Sequence, residues 1–162
     1  MKRIAILLLV LLLCACAGAE EAVFIDPNAV QGGGYGELYF EANGVRFGIF
    51  DETDKVLASL PAYRSTYTSE TCAFDSCDVY YRFNGFQLMT NEIDGTSRIT
   101  GITVADDTVK TPQGLYIGMP EDDAKAAFPA LGDDWLIIDG TAQLAVVIQN
   151  GVIAQIIYTP AN

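Results

Sequence analysis

The chain of 162 residues contains no histidine and carries only 9 lysines and arginines against 21 aspartates and glutamates. Without histidine, the commonest general base and the commonest transition-metal ligand are both missing. A Ser, Thr or Cys nucleophile would have to draw its activating base from a lysine or a carboxylate. The formal charge of −12 leaves no clustered Lys and Arg to neutralise phosphates, so no nucleic acid is expected as a partner. No apolar run reaches the roughly 20 residues that a membrane-spanning helix requires. Apolar residues are nonetheless plentiful: at 51% they suffice for the core of one domain or of two very small ones.

The start of the chain has its own pattern. Lys2 and Arg3 precede the apolar stretch Ile4 to Leu13, and small residues follow at Ala15, Ala17, Gly18 and Ala19. This is the layout of a secretory signal peptide. Leu13-Cys14-Ala15-Cys16 resembles the lipobox of bacterial lipoproteins, which implies that residues 1–16 hold the leader and that Cys16 becomes the lipidated first residue. The alternative is cleavage after Ala17-Gly18-Ala19, releasing a soluble protein that starts at Glu20. Both routes export the mature domain, the first to the outer face of the bacterial membrane. Loss of Lys2 and Arg3 takes the formal charge from −12 to −14. That charge repels anionic head groups, so a lipid anchor holds the domain near the membrane without laying it on the surface.

Cys14 leaves with the leader and Cys16 is assigned to lipidation, so the folded part keeps Cys72 and Cys77. Two thiols in an exported chain are expected to pair. Their C-x4-C loop falls between the first predicted helix and a strand, where a disulfide contributes on the order of 2 kcal/mol. A redox pair would favour C-x-x-C, and a metal would want two more soft ligands. The acidic clusters Asp51 to Asp54, Asp106-Asp107, Glu121 to Asp123 and Asp133-Asp134 lack the D-x-[DN]-x-[DN]-G calcium loop. Helix starts and turns account for most of them, so neither a metal site nor a cofactor is expected.

Residues 17–36, with Asp26-Pro27-Asn28 and Gly32-Gly33-Gly34, read as a flexible tether. The short apolar stretch Val23, Phe24 and Ile25 could dock somewhere, but the glycine run argues against an ordered element. From residue 37 the chain suggests a duplication. Asn43-Gly44-Val45-Arg46-Phe47-Gly48 matches Gln113-Gly114-Leu115-Tyr116-Ile117-Gly118, each followed by acidic residues, by Lys55 or Lys125, and by Pro61 or Pro129. Ile99-Thr100-Gly101-Ile102 matches Ile153-Ala154-Gln155-Ile156 further on. Repeats over 37–107 and 108–162 follow from this pattern.

Acidic first turns, Pro120 and the spacing of Val56, Leu57 and Leu60, and of Ala124, Ala127 and Phe128, predict two short helices. Strands are expected at 79–83, 86–90 and 98–104, and again at 135–138, 143–148 and 152–158, with turns such as Asn84-Gly85 and Asn150-Gly151. Further strands are expected at 38–41 with 45–47, and at 115–117. The predicted fold class is therefore α+β: two diverged tandem repeats, each a short helix followed by an antiparallel β-meander, with the helices on one face of a curved sheet.

This duplicated unit with its loop disulfide resembles the β-lactamase inhibitor protein family and the related small lipoproteins of the outer-membrane assembly machinery. Thr111-Pro112-Gln113-Gly114-Leu115-Tyr116-Ile117-Gly118-Met119 is similar to the T-x-x-G-I-x-I-G segment of Gram-positive lipoproteins. The resemblance implies an exposed sheet face as the partner surface. No inhibitory residue carries over, because no stretch matches the inhibitor's insertion loop.

Strand alternation sends Tyr81 and Phe83 to one face, and Tyr80 and Arg82 to the other. Tyr and Arg carry much of the binding energy at protein interfaces, so Tyr80 with Arg82 is the candidate contact patch against the alternative of an ordinary half-exposed strand. The carboxylate pair Glu92 and Asp94 could in principle cleave a glycan, but it sits beside Gly95 in a turn-rich segment where solvated acids are the norm. No catalytic residue is expected. These features together predict an exported, lipid-anchored, non-catalytic module that binds a protein partner at the cell surface. The alternatives are an inhibitor of a secreted or wall-associated enzyme and a weak carbohydrate-active enzyme.

Overall fold

Between residues 40 and 160, runs of β-branched and aromatic residues are separated by tight turns at Asn43-Gly44, Asp94-Gly95 and Asn150-Gly151. In all three turns both central residues adopt a left-handed backbone with φ between 52° and 77°. Such turns match the twist of paired strands and fix their register. The computed structural model describes residues 36–70 and 77–161. The expected leader with Cys16, the tether up to residue 35, and Cys72 lie outside the described residues.

The order is β1 (Phe40–Ala42), β2 (Val45–Phe47), α1 (Thr53–Ser59), β3 (Ser65–Glu70), β4 (Cys77–Arg82), β5 (Phe86–Ile93), β6 (Thr96–Val104), α2 (Glu121–Ala127), β7 (Leu136–Asp139), β8 (Ala142–Gln149) and β9 (Val152–Pro160). Strands β1 and β2 form a small hairpin of their own. The other seven make one antiparallel sheet in the order β3-β4-β5-β6-β9-β8-β7.

The expected α+β fold of two helix-plus-meander repeats is thereby corrected. Among the described residues 48% are in strands and 14% in helices, so the molecule is mostly β. Each α-helix has only seven residues, and in both the capping residue, Leu60 or Phe128, precedes a proline and leaves the helical region. Steric conflict with the proline ring imposes that exit. An unexpected strand, β3, follows α1 and makes the first run four-stranded. The expected strand at 115–117 is absent: Thr111 N donates to the Leu115 carbonyl at 2.8 Å and Leu115 N to Thr111 Oγ1 at 3.1 Å, folding this stretch into turns. Pairing of Ile102 to Val104 with Ile156 to Tyr158 then joins all seven strands into a single sheet.

The two helices are docked alike. Phe50 N donates to the Ile99 carbonyl and Ile99 N to the Asp51 carbonyl, while Gly118 N donates to the Ile153 carbonyl and Ile153 N to the Met119 carbonyl. Phe50 and Gly118 both have positive φ, 70° and 87°. The structural counterpart of Gly118 is therefore Phe50, two residues beyond the Gly48 that the glycine pattern aligns with it.

One face of the sheet holds the core. Leu88, Ile99, Ile102, Leu144 and Ile156 are fully buried there beneath α1, α2 and the β1–β2 hairpin. Phe40 anchors the cluster, its ring centroid 5.6 Å from that of Phe47, 5.1 Å from Phe86 and 6.0 Å from Tyr158. Burying four such rings removes several hundred Å² of apolar surface from water. No element covers the opposite face among the described residues, and that face carries the candidate site.

Candidate partner-binding face

Antiparallel pairing sets the composition of the uncovered face. Tyr67 on β3 lies opposite Tyr80 on β4, and Arg82 lies opposite Gln87 on β5. Side chains alternate along each strand, so Tyr67, Tyr80, Arg82 and Gln87 share this outer face, while Phe83 is buried and Tyr81 half-buried against the core. The structure thus places both sequence-predicted contact residues together on the solvent side.

Their geometry is ordered. The Tyr67 and Tyr80 rings stack with centroids 4.5 Å apart and an interplanar angle of 1°. The Arg82 guanidinium carbon lies 5.3 Å from the Tyr67 centroid, and Arg82 Nε donates to Gln87 Oε1 at 3.2 Å. The Tyr67 hydroxyl reaches the same amide oxygen at 3.5 Å. Stacking and the amide bond hold these flexible side chains before any partner arrives, which lowers the entropy lost on binding. Burial, followed by the Asp78 carboxylate and the neighbouring Tyr67, pushes the Tyr80 hydroxyl above its ordinary range. It therefore stays a neutral donor and acceptor at physiological pH. At the far end of the same row Asn91 Nδ2 donates to Asp78 Oδ1 at 2.9 Å, a buried polar pair.

The patch offers stacking, hydrogen bonds and one cation. Sequence reasoning missed Tyr67 because β3 itself was not expected, although the Ser-Thr-Tyr-Thr-Ser stretch before Glu70 was an available signal; it missed Gln87, on the expected strand β5, because the pairing that sets it opposite Arg82 was not assigned.

The other sequence candidates lie elsewhere. Cys77 opens β4 and is exposed, while its expected disulfide partner Cys72 lies outside the described residues. Glu92 is exposed near the end of β5 and Asp94 is a left-handed turn residue. Several acids serve the fold: Asp51 Oδ2 accepts from Gly48 N at 2.8 Å, and Asp106 accepts from both the amide and the hydroxyl of Thr108. Lys125 bonds Asp133 at 3.1 Å and lies 3.6 Å from Glu121. Among the described residues no group of three or more acidic or cysteine side chains converges to hold a metal.

The cavities among the described residues include two of about 460 Å³. One is lined by Glu41, Pro61, Phe83, Asn84, Val109 and Lys110, and the other by Leu38, Phe128, Ala130, Ile137, Ile138 and Asp139. Among the described residues no helix is long and apolar enough to cross a membrane. The chain matches no family model, no curated protein and no solved structure.

Proposed function

We propose that this chain is an exported, non-catalytic binding module that recognises a protein partner through the outer face of its sheet, centred on Tyr80 and Arg82. The observation that carries the reading is the preformed Tyr80–Tyr67–Arg82 stack on a sheet face that no described element covers. Tyr and Arg are enriched among the residues that carry most of the binding energy at protein interfaces. Signal processing with lipidation at Cys16 and pairing of Cys72 with Cys77 belong to the same proposal, as does an anchor at the outer face of a bacterial membrane.

Affinity capture from the native cell envelope tests it, with the exported chain as bait and a Tyr80→Ala, Arg82→Ala double variant as control. One dominant protein recovered by the unaltered chain and lost with the variant supports the reading. Equal recovery by both baits moves the surface elsewhere, and recovery of no protein by either refutes protein recognition. If the captured partner is an enzyme whose turnover falls in the complex, the module acts as its inhibitor.

A further inference from the structure

The opposite edge of the sheet, remote from the Tyr80 patch, is formed by β7. Among the described residues strand β7 pairs only with β8, and no other described strand lies on its second edge. Val146 N donates to the Trp135 carbonyl at 2.9 Å, which fixes the phase of the antiparallel ladder. Alternation then directs the N–H and C=O of Ile137 towards β8, and those of Leu136 and Ile138 away from it, into the open edge. The side chains of these same two residues are among the most exposed large apolar groups of the domain, at 41% and 59%. An open edge carrying exposed aliphatic side chains is a template for another strand.

A groove of about 460 Å³ runs along this edge, floored by Leu38, Phe128, Ala130 and Ile137. Its wall includes Gly36 and Glu37, where the described chain begins. Glu37 N donates to Asp139 Oδ2 at 2.5 Å and Gln113 Nε2 donates to the Glu37 carbonyl at 2.8 Å, so the chain is held against the last residue of β7. A side chain at Gly36 would collide with the Asp139 carboxylate, and its φ of 53° suits glycine, so the close approach depends on that residue. Gly36, the first described residue, therefore stands at the mouth of an apolar groove beside the β7 edge that no other described strand pairs.

We propose that Val23-Phe24-Ile25 docks in this groove and adds as a strand to the open edge of β7, with Phe24 filling the space over Phe128 and Ile137. The triplet contains the only aromatic residue between the leader and the end of the glycine run. Twelve extended residues, the distance from Phe24 to Gly36, reach about 40 Å, while β7 is about 13 Å long, so the segment reaches the whole edge. Cleavage before Cys16 and cleavage after Ala19 both retain the triplet. A second copy of the chain is the competing occupant, and two domains each bearing a charge near −14 repel one another.

Residue-resolved amide hydrogen exchange on the exported chain, with and without Phe24→Asp, tests the proposal. The Leu136 and Ile138 amides of the unaltered chain should exchange at least about tenfold more slowly than those of the variant. The Ile137 amide, bonded within the sheet, should be equally protected in both and shows that the variant is folded. Unprotected Leu136 and Ile138 amides in the unaltered chain would overturn the proposal, as would protection that survives Phe24→Asp. Protection that fades on dilution would assign the edge to a second copy and overturn it as well.

Discussion

The ring of Tyr67 lies flat on that of Tyr80, 4.5 Å between centroids and within 1° of parallel, joining edge strand β3 to β4 on the face that the core leaves bare. Cross-strand aromatic pairs contribute about 0.5–1 kcal/mol to stability. A double-mutant cycle with Tyr67→Ala and Tyr80→Ala should return a coupling of that size from urea midpoints. Tyr67→Ala should also weaken partner binding as Tyr80→Ala does, because it removes the surface on which Arg82 rests. A coupling near zero would mean that the rings are merely adjacent.

The buried side of the sheet responds on a different scale. Leu88 is fully buried, and truncation to alanine removes apolar contacts and leaves a cavity, so Leu88→Ala should cost about 2–5 kcal/mol in chemical denaturation. Val147 faces the open side at 44% exposure, and Val147→Ser should change stability by less than about 0.5 kcal/mol. Similar losses for the two would contradict the assignment of inner and outer faces.

Gly118 has φ 87° and no atom within 4 Å of where a Cβ would stand, so Gly118→Ala tests backbone strain without a clash. A destabilisation of about 1–2 kcal/mol is expected, with Gly118→Asn costing less. Phe50 already bears that strain at the equivalent turn, with φ 70°.

That comparison shows what the sequence makes legible. Asn-Gly and Asp-Gly turns announce the hairpins, because only such residues accept the left-handed backbone cheaply, and the apolar alternation of β5, β6, β8 and β9 marks their buried face. Phe50 defeats the same logic: a left-handed aromatic carries no sequence signal, so the glycine pattern aligns Gly48 with Gly118 and misplaces the correspondence by two residues. β3 escapes notice because its described side chains are exposed on both faces and it lacks an apolar period. With β3 went Tyr67, the ring that stacks on Tyr80 and underlies Arg82. The 115–117 segment misleads in the other direction: it has strand-forming residues, but Leu115 is buried from within a turn rather than from a ladder.

Alkaline pH should destabilise the fold. Burial raises the hydroxyls of Tyr158, Tyr80 and Tyr81 above their ordinary value of 10.0, so the folded state keeps its tyrosine protons longer than the unfolded state. Their contribution is complete below pH 10.0 and is lost as pH rises through the higher folded values. Urea midpoints should fall steadily above that pH, and Tyr158→Phe should flatten the decline. A midpoint independent of pH over this range would show that Tyr158 is not held as described, with its hydroxyl 2.8 Å from Gln113 Oε1 in the interior.

Site-specific photocrosslinking in the intact envelope tests the central claim most directly, with the photoreactive residue placed in turn at Tyr67 on the outer sheet face and at Ala126, exposed on α2 over the covered face. The account predicts one discrete protein adduct from position 67 and none from position 126. An adduct from position 126 alone, or none from either, would contradict recognition through the outer face of the sheet.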